Sequence, residues 1–402
     1  MAGPDGPAAA RLGVLVNPVA GIGGAVGLKG SDGPAIVRRA LALGAVPHAA
    51  DRATAALARL LERWPADRER PTILAAPGPM GEGSARAAGL APIVVGELPP
   101  AAARPGGTTA ADTRRIAAAI VASGVDLLLV VGGDGTARDV CEALPPGVPV
   151  LGVPAGVKIH SAVFATSPGA AGELAAAFLA APGARRRTEA REVLDLDEDA
   201  YRRGEVAPRL HGELLVPSEG RRLQPRKAPS PASDAAAVAA IADEVAGALV
   251  PGWRYVLGPG STVRAIAQRI GVPKTLVGVD VVEADAAGGG RAHAYAADVG
   301  ERELIRIAAE APVAIVVTPI GGQGFILGRG NQQLSSAVIR AVLARLGRDG
   351  ILVVSTPGKL AALRGRPLLV DSGEPALDAE LAGYLSVITG RGERSVYPVA
   401  PA

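Results

Sequence analysis

Asp134 stands in a stretch built almost without side chains, "VGGDGTARDV" at residues 131–140. Glycine lets a backbone approach a ligand closely, and the amides that open a helix have no intrahelical partner, so they attract phosphate oxygens. A carboxylate at the centre of such a loop would repel a polyphosphate unless one of two things holds. Either a metal bridges acid and phosphate, or the acid accepts a proton from an attacking hydroxyl. Both belong to phosphoryl transfer, where positioning and charge neutralisation dominate catalysis. The plainer alternative is that Asp134 caps the helix expected over 136–144. Two more glycine-rich turns follow apolar runs, "NPVAGIGGAVGLKG" from Asn17 and "GPGST" from Gly258. One glycine turn says little, because glycine punctuates many turns; three with polar residues inside them point to nucleotide chemistry. The spacing of Gly21, Gly23, Gly24 and Gly27 is not G-x-G-x-x-G, no segment reads G-x-x-x-x-G-K-[ST], and no protein-kinase signature is present.

Other side chains add to this set. Lysine occurs only at 29, 158, 227, 274 and 359 in an arginine-rich chain, so a surviving lysine can mark a place that needs a compact point charge. Lys29 and Lys158 lie in the turns "GLKGSDG" and "GVKIHS". His160 reads equally as a hydrogen-bonded structural residue and as a substrate contact. Asp32 reads as a cap for the helix opened by Pro34 rather than as a metal ligand. The acidic run at 195–199 reads as a solvated face, because near-consecutive residues cannot all converge on one ion. Cys141 reads as a small buried helix residue, and the four histidines show no metal-ligand spacing.

These residues need a frame. Of the 402 residues, 49% are hydrophobic but only 2% aromatic, so the cores must be built from Ala, Val, Leu and Ile. The first half alternates short apolar strands ("RLGVLVNP", "PTILAAP", "VDLLLVVGG", "VPVLGVP") with helices, among them "TTAADTRRIAAAIVASG" with a Thr cap and a Gly124 stop. That alternation predicts a Rossmann-like α/β domain over 1–187, a parallel sheet covered on both faces, with ligands at the carboxyl ends of its strands. Residues 188–402 read as a strand-rich α+β domain that binds substrate, its C-terminal segment able to return to the first. The active site is expected in the cleft between the domains. A net charge of +3 with scattered arginines and few aromatics argues against nucleic acid. No apolar run spans a bilayer and the start lacks signal-peptide features, so a cytoplasmic protein off the membrane, and a homo-oligomer, are expected.

The wording of "LGVLVNPVAGIGGAVGLKGSDG", "VGGDGTARDV", "GVPAGVKIHSAVFATSP", "GPGST" and "VVTPIGGQGFILGRGNQQLS" resembles the ATP-NAD kinase superfamily, which includes diacylglycerol and sphingosine kinases, and within it the subgroup called ATP-NAD kinase or AcoX-like. The similarity runs from about Arg11 to about Asp371. It implies that Gly132, Gly133, Gly135 and Thr136 line the phosphate loop and that Asp134 is the base facing the 2′-hydroxyl of NAD. It also implies that Asn17 and Gly21, with Gly23 and Gly24, form the first nucleotide turn. Gly260, Ser261 and Thr262 would then stand in the second substrate motif. Lys29, Lys158, His160 and Ser161 complete the expected binding set, and magnesium accompanies ATP or polyphosphate, with its protein ligands unassigned. The Asn-Glu pair typical of NAD kinases after the GGDGT loop is replaced here by "PAGVKIHS".

Overall fold

The computed structural model describes residues 9–28, 33–103, 106–156, 159–196, 208–218, 234–275 and 277–402. In the first domain, β1 (Arg11–Val16), β2 (Thr72–Ala75), β3 (Ile93–Val94), β4 (Leu127–Gly132) and β5 (Val150–Pro154) form a parallel sheet in the order β3-β2-β1-β4-β5. Its helices are α1 (Pro34–Ala42), α2 (Ala49–Arg63), α3 (Glu82–Ala87), α4 (Ala110–Ala122), α5 (Asp134–Ala143) and α6 (Pro168–Ala180). Apart from the exposed Arg11 that opens β1, strands β1, β4 and β5 are apolar and buried, as strands covered on both faces must be. α2 packs against α3 and α6, and α4 packs against α5. Right-handed crossovers put those two groups on opposite faces. The expected Thr cap is present: Thr109 accepts from the Asp112 amide and Asp112 reaches back to Thr109, a reciprocal capping box.

A two-stranded ribbon follows, β6 (Thr188–Leu196) with β7 (Pro208–Pro217). Its Val193, Leu214 and Val216 join the first domain's core, so the division expected near residue 187 falls at the ribbon's start while the ribbon itself packs on the first domain. The acidic run that begins here departs from the sequence reading at one position. Asp195 is buried and pairs with Arg138 of α5 rather than facing solvent; residues 197–199 lie outside the described residues.

The second domain is built on one mixed nine-stranded sheet. Its strands are β8 (Arg254–Leu257), β9 (Asp280–Ala284), β10 (Ala292–Ala296), β11 (Val313–Val317), β12 (Phe325–Leu327), β13 (Ile351–Val354), β14 (Leu368–Val370), β15 (Gly383–Gly390) and β16 (Glu393–Pro401). Interleaved helices are α7 (Ala235–Gly247), α8 (Ser261–Ile270), α9 (Glu301–Glu310), α10 (Ser336–Leu346), α11 (Pro357–Ala361) and α12 (Pro375–Leu381). β8, β11, β13 and β15 run parallel side by side. After α12, the last twenty residues form the β15–β16 hairpin and stay in this sheet. Among the described residues no helix is long and apolar enough to cross a membrane.

Polar groups close the seam between the domains. Arg52 of α2 grips Asp371, which follows β14, through Nη1 and Nη2 at 3.0 Å each. Nη1 of Arg52 also donates to the Pro154 carbonyl at 3.1 Å. Arg329 lies 3.8 Å from the same carboxylate and donates to the Thr166 carbonyl at 2.6 Å. Burial works to raise the Asp371 pKa, but the charges of Arg52 and Arg329 outweigh it and hold the carboxyl below its ordinary value. Replacing Asp371→Asn should therefore cost about 3–5 kcal/mol of stability, because buried guanidiniums lose their counter-charge. The folded-state pKa is depressed, so this contribution is complete above the unfolded carboxylate value of about 3.9 and is lost as pH falls through the folded one. Denaturant melts of both proteins, taken stepwise from neutral into acid, should show the gap closing only below that value.

Candidate active site

The order β3-β2-β1-β4-β5 reverses direction between β1 and β4, and the carboxyl ends at such a switch point are where ligands collect in open α/β sheets. Asn17 leaves β1 there. Its amide donates to the Val131 carbonyl at 2.9 Å, and its side chain donates to Thr136 Oγ1 at 3.0 Å. Thr136 sits over Gly132, where a Cβ would collide with its side chain. The Gly132 carbonyl in turn accepts from Ala155 at 2.8 Å and Gly156 at 3.0 Å, tying β4 to the segment after β5. Gly21 holds a φ of 74° against the Ala155 carbonyl, a conformation and an approach that no side chain would permit. The three segments after β1, β4 and β5 are thus one locked unit.

Only Gly133 separates β4 from α5, and it has no side chain to cap the helix. The first-turn amides of Asp134, Gly135 and Thr136 therefore open α5 without a capping side chain, with the positive end of the helix dipole beside them. Gly133 and Gly135 are half-buried, which leaves this end partly open. Asp134 is the first helical residue, and it does not cap its own helix. Its carboxylate turns to the segment after β5. Oδ2 accepts from the His160 amide at 2.7 Å and meets His160 Nδ1 at 3.1 Å, while Oδ1 accepts from the Ser161 amide at 3.0 Å. Asp134 is 6% exposed and His160 7%. Among the described residues the buried His160 Nε2 has no hydrogen-bond partner. Ser161 is fully buried, and its hydroxyl is spent on the β6 backbone, donating to the Leu194 carbonyl at 2.8 Å and accepting from the Leu194 amide at 3.0 Å.

The second domain closes over this segment. Gln323, in the loop after β11, donates to the Ile159 carbonyl at 3.2 Å, and Gln332 donates to the Gly156 carbonyl at 3.2 Å. Gly24 lies against the Gln332 side chain, and the Ala25 carbonyl accepts from Glu301 at 2.9 Å. Gly23 takes part in the same run of turns, accepting from the Leu28 amide at 2.9 Å. The "NPVAGIGG" turn is thus built into the seam. Burial pulls the Arg329 guanidinium down to about 10; Asp371 raises it, Arg52 lowers it, and Asp134 raises it.

Gly260, Ser261 and Thr262 stand at the carboxyl end of β8, where Gly260 precedes α8. Thr262 Oγ1 accepts from the buried ammonium of Lys359 at 3.1 Å, and Thr318, just after β11, accepts from it at 3.2 Å. Ser261 is exposed. Among the described residues no hydrogen bond joins this cluster to Asp134. Lys29, Lys158 and Asp32 lie outside the described residues. Sequence reasoning passed over Gln323, Arg329, Gln332, Arg52, Asp371 and Lys359. Lysine scarcity alone pointed to Lys359 and to Lys274, both of which are buried here. The rest act across the seam and leave no local signal. Cys141 lies in α5 and is half-buried.

Magnesium would come with a phosphate donor. Among the described residues no three His, Cys, Asp or Glu side chains gather where a metal could sit, so no protein ligand is assigned to it.

The family model described as the ATP-NAD kinase N-terminal domain matches residues 12–183, and that of the ATP-NAD kinase C-terminal domain matches residues 251–399. No curated protein and no solved structure matches the chain.

Exchanging Asp134→Asn would turn an amide N–H toward the amides of His160 or Ser161. A buried donor left facing a donor costs about 1–3 kcal/mol. The denaturation midpoint should fall by that amount with the slope unchanged. An unaltered midpoint would mean that the bonds to His160 and Ser161 hold nothing.

Proposed function

Because the chain belongs to the ATP-NAD kinase family, we propose that it transfers the terminal phosphoryl group of ATP or polyphosphate to the 2′-hydroxyl of NAD, forming NADP. The family's two domains make it a phosphotransferase of the NAD kinase superfamily. The acceptor and the donor are our reading. One observation supports it above the others: a buried carboxylate–imidazole pair stands beside the first turn of an uncapped helix, at the sheet's switch point. That combination offers amides for phosphate oxygens and a proton acceptor within one turn of helix.

In this reading the donor's phosphates lie against Gly133, Gly135 and Thr136, with Asn17 holding Thr136 in place. Gly260, Ser261, Thr262 and Lys359 take phosphate oxygens of the dinucleotide from the second domain. The acceptor proton leaves to the Asp134–His160 pair. Magnesium, when bound with the donor, neutralises phosphate charge. Every remaining contribution is positional, which is what phosphoryl transfer needs most.

Purified protein incubated with magnesium, each donor and a set of acceptors should yield NADP, identified by mass and by its 2′-phosphate. Asp134→Asn, folded as judged by circular dichroism, should lose at least about 100-fold in kcat, the ordinary contribution of acid–base chemistry. Phosphate found on a lipid or another small alcohol, and none on NAD, would replace the acceptor. No phosphorylated product from any pair would overturn the reading.

A further inference from the structure

Arg329 carries a buried positive charge from the second domain to the edge of the site, and part of its hydrogen-bonding capacity is unused. The turn "GRGNQQ" after β12 presents it. Gly328 holds a φ of 89°, and an added Cβ would collide with the Asp371 carbonyl, so the chain can turn there only at a glycine. The Phe325 ring covers the guanidinium at 4.4 Å, the Thr166 carbonyl accepts from Nη2 at 2.6 Å, and Asp371 lies 3.8 Å from Nε. Asp371 gives both of its oxygens to Arg52 at 3.0 Å. Its contact with Arg329 is therefore one of charge rather than a full hydrogen bond. The edge left over carries Nη1. Among the described residues that buried nitrogen has no hydrogen-bond partner. It bears two N–H groups and cannot accept. A buried donor in that state calls for a reason.

The same turn is tied to the start of α5. Gln332 donates to the Gly156 carbonyl at 3.2 Å, and the Gly156 amide donates to the Gly132 carbonyl at 3.0 Å, just before the uncapped first turn. The negative charge of Asp134 reaches the guanidinium. Burial pulls the Arg329 pKa down to about 10, which leaves it charged at neutral pH. A guanidinium edge is also the side-chain group that best fits the oxygens of a phosphate.

Resting on the kinase reading above, we propose that Arg329 is a further catalytic residue, whose Nη1 donates to a non-bridging oxygen of the phosphoryl group during transfer. The acceptor oxygen forms a bond to the terminal phosphorus, and its proton passes to the Asp134–His160 pair. The bond from that phosphorus to the bridging oxygen breaks, and its electron pair leaves on the nucleoside diphosphate or the shortened polyphosphate. Arg329 keeps all of its protons. Negative charge is spread over the non-bridging oxygens in this step, and a fixed cation beside them lowers the barrier. Arg329 belongs to the second domain and its Thr166 partner to the first. The charge is therefore in place only when the domains are closed, which couples closure to chemistry.

Arg329→Ala, folded as judged by circular dichroism, should lose about 1000-fold in kcat, the scale of an arginine in this role. KM for donor and acceptor should stay within about threefold, because the lost bond belongs to the transition state. Guanidinium ion, added below denaturing concentration, should restore part of that kcat. Urea, planar and of similar size but uncharged, should restore none. Arg329→Lys keeps a charge without the fork and should stay at least about 100-fold below wild type. A wild-type crystal with magnesium, acceptor, spent donor and aluminium fluoride requires no variant to fold: Nη1 should donate to a fluoride within about 2.7–3.2 Å. An Arg329→Ala protein within about tenfold of wild-type kcat, rescue by urea equal to that by guanidinium, or a metal fluoride seated away from Nη1 overturns the assignment and leaves the kinase reading standing. A wild type that phosphorylates nothing overturns both.

Discussion

A buried carboxylate held by two backbone amides and one ring nitrogen organises the whole site. Asp134 begins α5, yet among the described residues its hydrogen bonds go to His160 and Ser161, beyond the end of β5. A carboxylate this deep persists only when its lone pairs are satisfied. Once they are, the helix start, the strand end and the following segment cannot move separately. Gly132 reinforces the tie by accepting from Ala155 and Gly156. Ser161, pinned by its amide to Asp134 and by its hydroxyl to Leu194, carries the same constraint into the β6–β7 ribbon. The first-turn amides of α5 are therefore fixed by the fold itself, which is the arrangement that electrostatic catalysis rewards.

The second domain contributes to the seam through charge and side-chain amides. Arg52, Asp371 and Arg329 form a buried trio of two cations and one anion. Among the described residues one Arg329 nitrogen has no hydrogen-bond partner, and the negative charge of Asp134 acts to raise the pKa of its guanidinium. A seam of this kind specifies orientation well but adheres weakly, because buried ion pairs give back much of their attraction as desolvation. It suits domains that must open and close around two substrates.

Much of the frame was legible in the residue pattern. Apolar strands alternating with helices announced the parallel sheet, Thr109 and Gly124 marked the ends of α4, and the glycines at 132, 133 and 135 marked the phosphate-type turn. The partners of Asp134 were not legible. Its neighbours in sequence suggested a cap, an acid bridged to phosphate by a metal, or a base, while the groups it bonds lie 26 and 27 residues away and offer mostly backbone amides, which leave no mark in the sequence. The ribbon misled for a related reason. Its acidic run looked solvated, but Val193, Leu214 and Val216 reach the first core and Asp195 meets Arg138. Gln323, Arg329 and Gln332 became visible only when the two domains were brought together, since hydrogen bonds to carbonyls leave no trace in composition.

A crystal structure with a non-hydrolysable triphosphate, magnesium and NAD bound together bears most directly on the central claim. The account predicts phosphates against the first turn of α5 and the 2′-hydroxyl within about 2.6–3.2 Å of the Asp134–His160 pair. Both ligands bound away from α5, or a 2′-hydroxyl remote from that pair, would contradict it.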